Sequence, residues 1–534
     1  MRMSPLLFLL SRARRRLARE EGFTMVVALL TLLVTSLLIT ATFVALDNEA
    51  HNSGTDLAAK QAYYAARAGM EQFLYDLNQN PNFWQSCTND TQSATTLPGA
   101  TGANPPQYAW APVLANGATA CSSSNAIGTL IDTSTGELTM EFYGYSGAKP
   151  QVTKGIVVSF RKKSPLDYLW YTVYEALDSS INGYSNCGQF YRTGSRPGGC
   201  NISWANNDVV NGPMYTQDQY MIGGTVTFGR NANDTIASAE PLTTNTSEIC
   251  TDDSCGSAII KGTPEPNAGT ISPPSDNSAL LTDAQNHGKV FYGTSTITVS
   301  GSTASVETCT SSSSCTASSV NLSTYPIIYV ANATSCSPAS YSPFDATYPI
   351  NSSGYFYGCA GDAYVNAPSG YTASFTLASA NNIVLTGNMT TNLSGSAVAG
   401  LVANQFIRVE HGVTNWSQDS YGNDYCTNNS SQSTSNLTID AAILALQHSF
   451  IVDNYDCGGT LGTLTVNGAI AQYFRGTVAT SSSGTVQTGY VKSYNYDDRL
   501  KALSPPYLFD IASAGWSVVR ENLCVPGGAS PTGC

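Results

Sequence analysis

Apolar and polar positions divide the chain into three patterns. Residues 23–46 form an apolar stretch of 24 residues with no charge, glycine or proline. At ~1.5 Å per residue a helix of that length crosses the ~30 Å hydrocarbon core of a bilayer. Beyond it Leu57, Tyr64, Ala68, Met70, Phe73, Leu74 and Leu77 recur at helical spacing. The spacing predicts that the helix continues to Asn80 with one stripe packed on a following domain, until Pro81 closes it. Residues 23–80 would then make one rod of ~87 Å. Residues 81–165 alternate with period two, as in Thr139-Met140-Glu141-Phe142-Tyr143 and Gly155-Ile156-Val157-Val158-Ser159-Phe160, between turn-rich polar segments.

After the aromatic run Pro165-Leu166-Asp167-Tyr168-Leu169-Trp170-Tyr171 the third pattern begins, of short β-runs that return to one small motif. Leu437-Thr438-Ile439-Asp440-Ala441-Ala442-Ile443 and Leu464-Thr465-Val466-Asn467-Gly468-Ala469-Ile470 lie 27 residues apart and nearly superimpose. Looser copies stand at Val210-Asn211-Gly212-Pro213-Met214, at Leu385-Thr386-Gly387-Asn388-Met389 and around Phe291-Tyr292-Gly293, and 399–405 echoes 441–447. A repeat in the twenties is what a β-solenoid coil needs. The expected fold class is α+β, mainly β: a long N-terminal helix, then a right-handed parallel β-helix with disulfide-pinned loops. An all-β sandwich is the alternative, but it calls for hairpin dipeptides at each connection, and these are sparse. Residues 231–287, 301–320 and 415–436 read as polar insertions leaving the solenoid. The expected division is 1–22, 23–80, 81–165, a solenoid at 166–488 and a capping segment at 489–534, pinned by Trp516 and a terminal cysteine pair.

Charge changes the picture in two ways. Only 11% of the 534 residues are charged, and the 24 basic against 37 acidic residues give a net charge of −13, which disfavours a nucleic-acid partner. Arg12, Arg14, Arg15, Arg16 and Arg19 precede the apolar run and no basic residue follows it until Lys60. The positive-inside rule therefore keeps 1–22 in the cytoplasm and exports the rest. The 14 cysteines agree with export, since all lie beyond residue 46. In order they fall as Cys87/Cys121, Cys187/Cys200, Cys250/Cys255, Cys309/Cys315, Cys336/Cys359, Cys426/Cys457 and Cys524/Cys534. Spacing does not fix connectivity, but sequential pairing would staple local loops. No CxxC and no clustered histidines speak for a metal, and no cofactor is expected.

The join Glu21-Gly22-Phe23-Thr24-Met25, between a basic leader and a long apolar helix, resembles the processing site of a class III type IV prepilin. The continuation Lys60-Gln61-Ala62-Tyr63-Tyr64-Ala65-Ala66-Arg67-Ala68-Gly69 resembles proteins with a PilX-type N-terminal pilin domain, although many relatives carry an acidic residue where Arg67 stands. The resemblance covers about residues 15–80, and the C-terminal block is similar to the end of large pilin-like proteins. It implies that a prepilin peptidase cuts after Gly22 and methylates Phe23, and that the helix joins other pilin subunits. Pilins usually carry Glu at mature position five, where it pairs with a neighbour's N-terminal amine; this chain has Val27. A carboxylate in apolar surroundings is costly unless paired, so Val27 suits a subunit with no neighbour above it. Losing 1–22 removes six Arg and two Glu and takes the net charge from −13 to −17.

Candidate chemistry is sparse. The carboxylate pairs Asp252/Asp253, Asp453/Asp456 and Asp497/Asp498 are the acid/base candidates for a polysaccharide-acting β-helix enzyme, yet adjacent carboxylates on a strand face opposite sides. Asp453-Asn454-Tyr455-Asp456 offers oxygen ligands for calcium without matching a defined loop. His448, after an apolar run, reads as a packed histidine. No phosphate loop, serine elbow or zinc-protease motif occurs. The expected function is non-enzymatic: a minor or tip pilin-like subunit, anchored in the inner membrane before assembly, displaying its ectodomain at the cell surface for contact with a surface or glycan, or for assembly initiation. The alternatives are the anchored enzyme and an anchored structural protein that never polymerises.

Overall fold

A computed structural model describes residues 23–524 apart from internal segments, the longest being 86–92, 121–128, 240–248, 339–357 and 509–515. Of residues 23–28 and 43–53 it describes the helical backbone alone. Helix α1 (Phe23–Gln79) leads into an antiparallel sheet ordered Thr95–Thr96, Gln107–Pro112, Leu138–Tyr145, Thr153–Lys162, Trp516–Cys524. Together they form a head. Over 58–66 the helix presses small residues onto the sheet and over 70–77 large ones: Ala58, Ala62, Ala65, Ala66, Met70, Phe73 and Leu77 are buried, whereas Leu57 and Tyr64 are 58% and 65% exposed. The expected stripe is corrected at those two positions, and the physical reason is close approach. A Cβ on Gly144 would lie 1.8 Å from the Ala62 carbonyl oxygen and 2.5 Å from the Ala66 nitrogen. Phe73 then inserts among Phe83, Trp110, Phe142 and Phe160, with ring centroids 5.4–5.6 Å away.

The rest of the described chain is mainly β. Twenty-three strands join into one sheet that curls nearly closed on itself, stacked as coils with three faces. On the second face the spatial order is Thr263–Pro266, Thr235–Ser238, Met214–Thr216, Trp170–Tyr174, 470–474, Ala442–Ala445, Ala399–Ala403, Phe375–Ser379, Ile327–Ala331, Lys289–Tyr292, every neighbouring pair parallel. The winding follows from that order. The chain enters in the middle at 170–174 and coils outward to 263–266. It then runs back to the far end and coils inward until 470–474 pairs with 170–174.

The return strap, 267–288, lies along the outside of the second face. Tyr215 accepts from the Ile271 N–H at 2.8 Å, Gln447 Nε2 donates to the Ser275 carbonyl at 2.9 Å, and buried Asn277 Nδ2 donates to the Ser379 and Val402 carbonyls. Helix α2 (Ser278–His287) ends the strap with Leu280 and Ala284 buried, one turn apart. Covered on both sides, strands such as Phe375–Ser379 and Ala399–Ala403 are buried at every residue, the continuous apolar run of a parallel sheet with two covered faces.

The 27-residue repeat is structural: Thr438 registers with Thr465, Ile439 with Val466, Ala442 with Ala469 and Ile443 with Ile470. The 399/441 echo is likewise in register, Leu401 opposite Ile443. Met389, in one of the looser copies, lies opposite Ile439. Polar positions of the motif stack too. Asn211 donates to Asn495, Asn495 to Asn467, and Asn467 to Asp440, at 2.8–3.1 Å.

Two expected boundaries are corrected. Residues 235–238, 259–260 and 263–266 are coil strands, so 231–287 is not one polar insertion. Residues 485–496 are a coil strand, and Trp516–Cys524 returns to the head, beside Thr153–Lys162, so neither caps the solenoid. Buried Trp516 packs on Trp84 in the head. The solenoid is thus inserted between the last two strands of the head sheet. The insertions at 301–320 and 415–436 are antiparallel hairpins, Thr303–Ser311/Ser314–Asn321 and His411–Gln418/Asp424–Ser433.

Among the described residues, disulfides join Cys187–Cys200, Cys250–Cys255, Cys309–Cys315, Cys336–Cys359 and Cys426–Cys457. Cys87, Cys121 and Cys534 lie outside the described residues; Cys524 is disulfide-bonded.

Candidate functional site

The two halves of α1 behave differently. Below residue 58 the helix leaves the head, and Leu29, Leu30, Leu32, Leu33, Val34, Leu37, Leu38 and Ile39 are 47–66% exposed. The polar side chains between them turn inward on the helix itself: Thr35, Ser36, Thr40 and Thr42 hydroxyls donate to carbonyls three or four residues back. An apolar surface on all sides, with hydroxyls satisfied internally, suits contact with lipid or other helices. Among the described residues no helix is both long and apolar enough to cross a membrane, so the expected 23–46 span does not stand on them. The described side chains of that run cover 29–42, about 21 Å at ~1.5 Å per residue. Phe23 and Val27 fall in the helix with their side chains outside the described set, and Gly22 lies outside the described residues.

The solenoid divides the carboxylate pairs. Asp453 accepts from Arg408 Nε at 2.9 Å and Nη2 at 3.0 Å, both residues buried. Asp497 binds Arg499 at 2.6 Å, whereas Asp498 binds Arg230. A carboxylate held by its own arginine is a weak candidate for a general base. Asn454, buried beside Asp453, donates from Nδ2 to the His411 carbonyl at 2.8 Å. Asp252 and Asp253 lie outside the described residues. His448 stacks on Phe406 at 4.4 Å and meets Asp178 at 2.6 Å and Ser180 at 3.4 Å, both through Nδ1. A catalytic triad needs serine and carboxylate on opposite ring nitrogens, so this trio is not one. Glu307, Cys309 and Cys315 come together, but the two sulfurs form a disulfide and hold no metal.

Sequence reasoning missed the seam where first and last coils meet. Glu175 and Arg475 pair at 3.2 Å, both buried, and Glu175 also accepts from Trp170 Nε1 and Thr172 Oγ at 2.8 Å. The Arg475 guanidinium lies 3.9 Å from the Trp204 ring centroid. Lys492 pairs with Asp208 at 2.8 Å, and burial pulls its ammonium below the usual lysine range. Burial pushes the Asp218 carboxyl up, against the opposing pull of the paired Arg196. A cavity of about 560 Å³ opens here, lined among others by Trp170, Arg475, Lys492 and Tyr494. Nothing in the local pattern around 170 or 475 signals that these distant segments pair.

Beside the 411–433 hairpin, burial and the neighbouring Asp453 push the Glu410 carboxyl up to about 8, against the opposing effect of Arg408. His411, fully buried, lies 3.0 Å from both the Asp453 carbonyl and Asn428 Oδ1. Together with Cys426–Cys457 these contacts hold the hairpin to the coils.

No family model matches the chain, and no curated protein matches it. Among solved structures the chain is similar to the competence-associated pilin ComZ from Thermus thermophilus, with 13% identity and a TM-score of 0.30 over 87% of this chain and 97% of that one, too loose a superposition to argue from.

Proposed function

We propose that this chain is a pilin-like subunit of a type IV pilus or related filament, made as a membrane-anchored precursor and processed by a prepilin peptidase between Gly22 and Phe23. Its solenoid is cargo, carried on the head for surface contact or assembly initiation. The observation that carries the reading is the run of exposed leucines at 29–39, continuous with a helix whose other half is packed into the head. So much apolar helix surface is costly in water, and bundling with similar helices covers it. Val27 favours a minor or tip position, because the subunit lacks the carboxylate that would pair with a neighbour above. The reading is of an assembly and binding protein rather than a glycan-cleaving enzyme; the division of Asp453, Asp497 and Asp498 among separate arginines supports it.

N-terminal mass spectrometry of the protein from its own cells tests the reading. A mature chain beginning at methylated Phe23, abolished by Gly22→Ala, is the expected result. An intact N-terminus with its arginine-rich leader contradicts it. Filaments built of this chain alone would contradict the tip position.

A further inference from the structure

On the outside of the second face, next to the seam, the strap stands off the coils and leaves a cavity of about 420 Å³. Small-molecule sites occupy roughly 300–1,000 Å³. Tyr174, Tyr473, Pro273, Pro274, Gln217 and Gln447 line it, and none of its described lining residues is charged, in a chain of net charge −13.

The rings are fixed and half-buried. Tyr174 meets Tyr473 edge-on at 5.5 Å and stacks on Phe474 at 5.3 Å, with Phe190 at 5.0 Å beside it. Seam register sets this cluster, since Tyr174 pairs with Phe474 across first and last coils. The amides are oriented as well. Gln217 Nε2 donates to the Ile271 carbonyl at 2.6 Å and Gln447 Nε2 to the Ser275 carbonyl at 2.9 Å. Amide planarity turns each Oε1 away from that carbonyl, as an acceptor.

The Tyr473 ring suits the C–H surface of a sugar, and the amide and phenol groups suit its hydroxyls. The larger seam cavity differs, because its rings Trp170, Tyr490 and Tyr494 are buried and its cations Arg475 and Lys492 are already paired. We propose that the cavity under the strap binds a short neutral oligosaccharide, about two pyranose rings in contact with the walls. This extends the surface-contact part of the function proposed above, but rests on the lining and not on filament membership.

The test is isothermal titration calorimetry of the full-length protein in a sugar-free zwitterionic detergent. The probes are maltotriose, cellotriose, triacetylchitotriose and N-acetyllactosamine, with trigalacturonate and sialyllactose as anionic counterparts. The expected result is saturable binding of at least one neutral probe, weakened on the order of tenfold by Tyr473→Ala and less by Gln447→Ala. Ser275→Trp, which fills the cavity from its exposed rim and removes no wall, should abolish binding; near-UV circular dichroism identifies variants that keep the native fold. The proposal is overturned if no neutral probe binds, if only the anionic probes bind, or if binding survives both Tyr473→Ala and Ser275→Trp. Leader processing is read on the same variants. A wild-type chain that binds but keeps its leader overturns the filament reading alone; binding lost in a variant whose processing is intact is the signature of the cavity.

Discussion

In the head, one helix lies against one face of a five-stranded sheet, and the backbones come closest where Ala62 and Ala66 face Gly144. In the solenoid, one interior position recurs coil after coil, as in the ladder Ile470, Ile443, Leu401, Leu377, Ile328. The head therefore concentrates its specificity at a few contacts, whereas the solenoid spreads it along a stack in which each coil meets only its neighbours. The seam is the exception. There the solenoid behaves like the head, because the buried Glu175–Arg475 pair, with the guanidinium set over the Trp204 ring, joins segments 300 residues apart. The two regions should unfold as separate units, so two-state treatment of the whole chain does not apply.

The largest effect is expected from Gly144→Val. Its Cβ would overlap the α1 backbone, and with backbone on both sides neither partner yields easily. A loss of about 3–5 kcal/mol confined to the head transition should appear in denaturant melts followed by head tryptophan fluorescence. Arg475→Met comes next. It leaves Glu175 buried and unpaired, so the solenoid should lose about 3–5 kcal/mol, and adding Glu175→Gln should restore much of it. An equal loss in single and double variants would contradict the seam account. Leu401→Ala, inside an ordinary coil, should cost about 2–4 kcal/mol and leave the head transition unchanged.

A smaller effect is pH-dependent. The Glu410 carboxyl is raised in the folded state from its ordinary 4.5 to about 8, so the folded chain binds more protons than the unfolded chain in that window. Stability contributed here is present below pH 4.5 and falls as pH rises toward 8. Glu410→Gln should remove that slope, gaining on the order of 1–3 kcal/mol at pH 8 over its effect at pH 5. Urea melts at both pH values check it; a wild-type slope unchanged in the variant contradicts the assignment. The smallest effect on stability belongs to Leu33→Arg. At 58% exposure it should leave both transitions within about 0.5 kcal/mol, yet abolish incorporation into filaments.

Legibility follows the range of the physics. The coil repeat could be read because in-register parallel stacking aligns like residues, and the offset of 27 between Ile443 and Ile470 is itself the pairing register. The Asn467–Asn495–Asn211 ladder was half visible in the polar slot of the same motif. Spacing left the cysteine connectivity open, with sequential pairing as one possibility, and five of those seven pairs are bonded among the described residues. What could not be read is long-range order: that 170 pairs with 470, that 267–288 runs back along the stack, and that 516–524 returns to the head sheet. Those pairings follow from chain reversal, to which local periodicity is blind. The error over Leu57 and Tyr64 has another origin, since hydrophobicity ranks leucine and tyrosine above alanine, whereas a sheet pressed on a helix backbone selects for size.

The central claim is that the exposed apolar half of α1 is covered by other pilin-like helices. A photo-crosslinking amino acid placed at Leu33, and in a control at Tyr75, which is 60% exposed on the head half of the same helix, tests it in intact cells. The account predicts that sheared filament fractions contain Leu33 adducts with other pilin subunits and far fewer from Tyr75. Adducts from Leu33 that hold lipid alone, with none in the filament fraction, would contradict it.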